Sequence, residues 1–159
     1  MIFKRILFLV LVTTFSMAAL AQAKSGKPKV EFKNSPEISS PAGYSHAVVV
    51  SGGKMVFLSG QVGLDKQGEM VGQGDLRAQA IQAFANLRSA LAAAGAKPGD
   101  VVKLNYYVVG LNHGKLLMLR DVRDQFIDKA HPPASTLAGV QMLFREDALI
   151  EIEAVAVIP

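Results

Sequence analysis

From Leu149 to Ile158 the chain runs LIEIEAVAVI, a strict alternation that only a β-strand satisfies. Ile150, Ile152, Ala154, Ala156 and Ile158 fall on one face, and Glu151, Glu153, Val155 and Val157 on the other. A strand with one fully apolar face has to lie in a sheet covered on that side, so the rest of the chain must provide the cover. Residues two apart on a strand sit about 7 Å apart on the same side, so Glu151 and Glu153 both face one cleft wall. Glu151 is nearer the strand's start and is the candidate for chemistry, whereas Glu153 is expected on a solvated face. Before this strand lies His131-Pro132-Pro133-Ala134-Ser135-Thr136, read as a loop stiffened by two prolines.

The helices that supply the cover are legible upstream. Between residues 75 and 94, Ala80, Phe84, Leu87 and Leu91 recur at helical spacing, with Asp75 suited to cap the start and Gly95 the end. Arg77, Gln82 and Arg88 fall off that stripe. A second helix follows Asn112, with Leu116, Leu119, Val122 and Phe126 as its stripe and the paired prolines as its stop. Arg120 and Arg123 lie one turn apart beside that stripe, which reads as a solvated helix edge next to Asp121 and Asp124. Between the helices, Lys97-Pro98-Gly99-Asp100 is a turn, and Val101 to Val109 is a β-branched and aromatic strand. Ala47–Val50 and Met55–Ser59 flank Ser51-Gly52-Gly53-Lys54 and read as a hairpin. Residues 24–40, rich in Lys, Ser and Pro, read as a flexible leader or a peripheral strand around Val30 to Phe32. The order predicts an α+β domain over residues 41–159, with a mixed sheet and both helices packed on one face.

The first residues carry Lys4 and Arg5, an apolar run from Ile6 to Val12, and small residues ending Ala19-Leu20-Ala21 and Ala21-Gln22-Ala23. That is the pattern of a secretory signal peptide over residues 1–23, cleaved near Ala21 or Ala23, which predicts a periplasmic or secreted protein with no membrane attachment after cleavage. The formal net charge of +4 falls to +2 when Lys4 and Arg5 are discounted, so nothing here requires a nucleic-acid partner. The chain has no cysteine, which removes cysteine nucleophiles, zinc-thiolate sites and disulfides together.

No Gly-rich phosphate loop, G-x-S-x-G or H-E-x-x-H occurs. His46, His113 and His131 are scattered outside metal-ligand spacing, and neither a metal nor a cofactor is expected. Ser59 and Ser135 have no base adjacent in sequence.

Five segments together resemble one family. They are Gly43-Tyr44-Ser45-His46-Ala47, Phe57-Leu58-Ser59-Gly60-Gln61, Asp100-Val101-Val102-Lys103, Pro133-Ala134, and Ile150-Glu151-Ile152-Glu153-Ala154. In order and spacing, the chain from about Pro41 to Pro159 is similar to the RidA/YjgF family. The resemblance implies a chorismate-mutase-like α+β fold, a homotrimer, and a small-molecule cleft at each subunit interface. It implies hydrolysis of reactive 2-imino acids and enamines to 2-keto acids and ammonia, without metal or cofactor. It assigns Tyr44 to the cleft, Ser59 and Gly60 to the strand end lining it, and Glu151 to the positioning of the attacking water.

One part of that pattern is missing. Deaminating members carry P-A-R-S or P-A-R-T, whose arginine grips the substrate carboxylate. Here the loop is Pro133-Ala134-Ser135-Thr136, which puts Ser135 in the arginine's place with Thr136 beside it. A charge-assisted contact is worth a few kcal/mol, and each 1.4 kcal/mol is about tenfold, so the sequence implies the fold more firmly than the activity. Arg120 and Arg123 are the candidates to supply the missing charge. Two functions follow: a weak imine or enamine deaminase, or one acting on substrates without a carboxylate, and alternatively a non-catalytic small-molecule binder or partner protein.

Overall fold

A computed structural model describes residues 26–159, and residues 1–23, over which a signal peptide is expected, lie outside the described part. The strands are β1 (Lys29–Lys33), β2 (Ala47–Ser51), β3 (Lys54–Gln61), β4 (Val101–Val109), β5 (Ala134–Val140) and β6 (Ile150–Ile158). The helices are α1 (Leu76–Ala93) and α2 (His113–Arg123). β3, β6, β4 and β5 form a four-stranded sheet in that order. β6 is antiparallel to both neighbours, while β4 and β5 are parallel and joined through α2, so the sheet is mixed.

The alternating run is one of the sheet's two central strands, with β4 the other. Ile150, Ile152, Ala154 and Ala156 are at most 4 % exposed, and join Leu104, Tyr106 and Val108 of β4 under the two helices. The opposite face carries Glu151, Glu153, Val155 and Val157, and among the described residues no helix packs on it. α1 buries Ala80, Phe84, Leu87 and Leu91, as its spacing predicts. Asp75 caps it, its carboxylate accepting from the N–H groups of Arg77 and Ala78. Gly95 follows its end at φ +74°, where a side chain would be strained.

Three expectations change, and one core residue is new. The two runs flanking Gly52-Gly53 are strands but not a ladder: β2 pairs with β1 and β3 pairs with β6. They part at the glycine pair, where the close approach of Gly53 to Ile158 and Val157 directs the chain past the sheet's end. The Pro132–Thr136 loop ends early, because residues from Ala134 onward hydrogen-bond along β4 as strand β5. α2 stops at Arg123, well before the prolines, and Phe126 reaches the core from a turn whose N–H donates to the Arg123 carbonyl. Gln79, not singled out from the sequence, is wholly buried; its amide donates to the Asp147 carbonyl (2.8 Å) and accepts from the Leu149 N–H (2.7 Å). A polar group at that depth is tolerated because both ends are satisfied, and it locks α1 to the start of β6.

Candidate functional site

Strand register divides the predicted site residues between the two faces of the sheet. Tyr107 lies opposite Glu151, Asn105 opposite Glu153 and Lys103 opposite Val155. Across the other ladder, Lys103 pairs with Ala134, Asn105 with Thr136 and Tyr107 with Ala138. Side chains of paired residues leave a sheet on the same side. Ala134 and Thr136 therefore share the open face with Glu151, whereas Ser135, paired with Leu104, points to the helix side. Ser135 thus lies with Tyr44 on the helix side, and Ala134 is the first β5 position on the face of the same protomer's Glu151.

On the open face, Glu151 and Glu153 are in different states. Glu153 accepts from the Asn105 amide (2.7 Å) and the Tyr107 hydroxyl (2.9 Å), so it is tied into a network rather than simply solvated. That bond, with the carboxylate's charge beside it, holds the Tyr107 phenol above its ordinary range. Glu151 has no hydrogen-bond donor or cation as partner among the described residues. Its carboxylate lies against the bare Cα of Gly60, where the β3–β6 register shifts between Leu58 and Gln61. A Cβ at Gly60 would occupy the carboxylate's position. Ser59, exposed on the same bulge, lines a cleft of about 260 Å³ with Phe57, Lys103, Asn105 and Glu153. The Lys103 ammonium donates to the Thr136 hydroxyl (2.8 Å), which carries the polar row to the sheet's edge.

The remaining predicted residues meet on the helix side. Tyr44, Ser135, Arg120 and Arg123 line one pocket of about 300 Å³ with Ala42, Tyr106 and the leucines Leu116, Leu119 and Leu137. Tyr44 is carried there by its neighbour: the buried Ser45 donates from its N–H to the Pro133 carbonyl (3.1 Å) and from its hydroxyl to the Pro132 carbonyl (2.7 Å). Gly43, at φ +78°, passes directly beneath the Arg123 guanidinium, which leaves no space for a Cβ. Arg123 is bound to Asp124 through Nε (2.9 Å) and Nη2 (2.6 Å), with its side chain only 12 % exposed. It is not a solvated helix edge. Tyr106, not singled out for the site from the sequence, ends there with a buried hydroxyl that has no hydrogen-bond partner. Ser135 is its polar neighbour but falls short of full bonding geometry, and burial pushes the phenol up, out of the range where it ionises. Its alternation with Tyr107 was the available signal: consecutive tyrosines on a strand must face opposite sides.

Among the described residues, no group of three or more His, Cys, Asp or Glu side chains is placed to hold a metal, and no helix is long and apolar enough to cross a membrane. His46 is engaged in the loop ahead of β2, its Nδ1 taking the Ser35 N–H (3.1 Å). His131 pairs with Asp128 at 3.0 Å.

Residues 34–158 match the family model described as Endoribonuclease L-PSP. The chain is 35 % identical over 126 residues to a 2-iminobutanoate/2-iminopropanoate deaminase from Dermatophagoides farinae, covering 79 % of this chain and 94 % of that one. Among solved structures, a Rid-family protein, YyfB from Yersinia pestis, superposes with a TM-score of 0.73 at 38 % identity, covering 81 % of this chain and 98 % of that one. Escherichia coli TdcF with bound serine superposes with a TM-score of 0.57 at 31 % identity, covering 66 % and 81 % respectively.

Proposed function

Because the chain belongs to the RidA/YjgF family, the family of the Endoribonuclease L-PSP model, we propose that it is a small-molecule protein of the imine-deaminase type, acting outside the cytoplasm as a homotrimer. The observation that carries the proposal is the free carboxylate of Glu151 seated on Gly60. Hydrolysis of an imine needs a water molecule held and deprotonated as it attacks the C=N carbon. An acceptor with no competing donor is suited to that task, whereas Glu153, already engaged by two donors, is not. The reaction would take R–C(=NH)–COO⁻ and water to R–CO–COO⁻ and ammonia. The hydroxide adds to carbon, the nitrogen takes up the protons, and the C–N bond breaks.

Within one protomer, Glu151 and the Tyr44 pocket lie on opposite faces of the sheet. An assembly that sets one copy's Glu151 beside another's pocket would complete the site, and the open face has the surface for it. Phe57 is 74 % and Met55 61 % exposed there, and β3 has no partner on its outer edge among the described residues. The test is direct: add freshly generated 2-iminobutyrate or 2-iminopropanoate to the purified protein and follow imine loss. A rate no higher than buffer would remove the deaminase reading for those substrates. Light scattering tests the trimer, and the N-terminal mass of the exported chain tests cleavage near Ala21 or Ala23.

A second reading, a non-catalytic binder, is supported by the pocket itself: its lining has two cations but no carboxylate or imidazole to act as base. Binding of small acids without imine turnover would favour it. RNA cleavage is left out of the proposal, since a charge of +2 without the leader and the absence of a basic aromatic stripe give a nucleic acid little purchase.

A further inference from the structure

We propose that residues 34–40 form a pH-operated strap beside the Tyr44 pocket, stapled down by the neutral imidazole of His46 and released when that ring is protonated. The segment is fixed at both ends. Lys33, just before it, lies opposite Ala47 in the β1–β2 ladder, and Ser45, beyond it, is held by its bonds to Pro132 and Pro133. Between those points, among the described residues, no backbone–backbone hydrogen bond outside the ladder engages residues 34–43. Residues 34–40 are all exposed, Ile38 at 58 %, so burial does not hold them either. What holds them is one residue. His46 donates its backbone N–H to the Asn34 side-chain oxygen (2.9 Å), accepts the Ser35 N–H at Nδ1 (3.1 Å) and reaches the Ser39 carbonyl with Nε2 (3.0 Å). Within the strap, the Glu37 N–H donates to the Ser35 hydroxyl (3.1 Å) and closes a turn.

Those partners dictate the protonation state of the ring. A backbone N–H can only donate and a carbonyl can only accept, so Nδ1 carries the lone pair and Nε2 the proton. The imidazolium has a proton on both nitrogens. Nδ1 would then meet the Ser35 N–H donor to donor, which breaks that bond and sets two like partial charges together. Because imidazoles charge between about pH 5 and 8, the staple is the kind of contact that a modest acidification undoes.

The charged and titratable groups around His46 supply no other hold on the strap. The Tyr44 ring stands 6.0 Å from the His46 ring, Lys33 on β1 is paired with Glu31, and Arg123, beneath Gly43, is bound to Asp124. Glu37 lies on the strap itself. None of them bonds to the His46 ring among the described residues. His131, packed on Phe32 of β1 at 5.4 Å and paired with Asp128, works in the opposite sense, since its protonation strengthens that pair. Acid therefore keeps the end of β1 seated while it frees the strap beyond it. The strap leads through Pro41 into Ala42 and Tyr44, two lining residues of the pocket, so its release loosens one wall while Ser45 keeps the Tyr44 backbone in place.

The test is NMR of the full-length mature protein, titrated from about pH 7.5 to about pH 5. Proton–nitrogen correlation spectra of the imidazole read the tautomer, and relaxation of the backbone amides reads the strap. At the upper pH His46 is expected as the Nε2–H tautomer, with order parameters of about 0.85 for Ser35, Glu37, Ile38 and Ser39. As the ring charges, these should fall below about 0.6 with the same midpoint, while Ile152 in β6 stays rigid. His46→Ala should give the low values at both ends of the titration. His46→Gln, whose amide offers one acceptor and one donor without titrating, should hold the strap at both. His131→Asn and Glu37→Gln should leave the transition in place. Melting curves at both pH values establish that each variant is folded. The inference is overturned by an Nδ1–H tautomer at the upper pH or by a strap whose order does not change as His46 titrates. A transition that persists in His46→Gln, or that vanishes in His131→Asn, overturns it equally.

Discussion

Gly60 and Glu151 are packed so closely that the glutamate's carboxylate occupies the space a Gly60 Cβ would need. The obstruction is the far end of a flexible side chain, not backbone, so Gly60→Ala would be accommodated by Glu151 swinging away. We expect a stability change below about 1 kcal/mol but loss of most imine turnover, because an attacking water tolerates little misplacement. Melting curves and the imine assay, run on the same preparation, separate the two effects. A variant with full turnover would show that Glu151's placement is immaterial.

Glu151→Ala and Glu153→Ala should fail in different ways. The first removes the free acceptor and should abolish turnover with little effect on stability. The second strands the Asn105 amide and the Tyr107 hydroxyl, costing roughly 1–2 kcal/mol. It should also let the Tyr107 phenol fall back toward the ordinary tyrosine value near 10, because the bond that raises it is gone. Ultraviolet titration of phenolate formation reads this directly: an unchanged profile would mean that Glu153 does not hold Tyr107.

Ser135 and Ala134 face opposite sides of the sheet, so an arginine at each tests how the site is completed. Ser135→Arg places a guanidinium in the pocket with Tyr44, which a second copy's Glu151 would complete, and should improve turnover of 2-imino acids by about ten- to thirtyfold if the deaminase reading holds. Ala134→Arg projects from the opposite face, on the side of its own protomer's Glu151, and should bring no gain in turnover. The reverse ranking would mean that the site is completed within one protomer.

What was legible in the sequence was what periodicity encodes. Ile150, Ile152, Ala154 and Ala156 repeat at two, and Ala80, Phe84, Leu87 and Leu91 at helical spacing, and all are core. The face of Ser135 was not legible, because side-chain direction depends on register with β4, and no local pattern within Ala134–Val140 fixes that register. The pairing of β2 with β1 rather than β3 was hidden for a similar reason: a glycine pair permits a hairpin without enforcing one. Arg120 and Arg123 look equivalent beside Asp121 and Asp124, and only tertiary contacts, Arg77 reaching Asp121 from α1, set them apart.

Gln79 should be among the most sensitive core positions despite being polar. Gln79→Leu fills a similar volume but strands the Asp147 carbonyl and the Leu149 N–H, both part-buried. The expected cost is roughly 2–4 kcal/mol, seen as a fall in melting temperature on the order of 5–12 °C for a domain of this size. A fall below about 2 °C would indicate that water satisfies those groups and that the α1–β6 lock is dispensable.

The segment between β5 and β6 carries a charge fork whose pH dependence is predictable in sign. Arg145 donates to both Asp147 oxygens (2.9 and 2.7 Å) and, through Nη1, to the Gly68 carbonyl (3.1 Å), which ties this segment to the loop before α1. The hydrogen bond from Arg145 holds the Asp147 carboxyl below its usual range, against a smaller opposing effect of burial. A folded-state value lower than the unfolded one means that the contribution to stability is fully present above the unfolded value, near 3.9, and is lost as pH falls through the lower folded value. Asp128, lowered chiefly by its bond to His131, acts with the same sign. Asp147→Asn should therefore lower the melting temperature modestly at pH 6–7, and the difference from wild type should shrink steadily as pH drops below about 4. The effect at neutral pH stays small because the pair is partly solvated. Melting curves of both proteins from pH 7 to pH 3 test the sign: a gap that widened on acidification would show that Asp147 is not held as the carboxylate by Arg145.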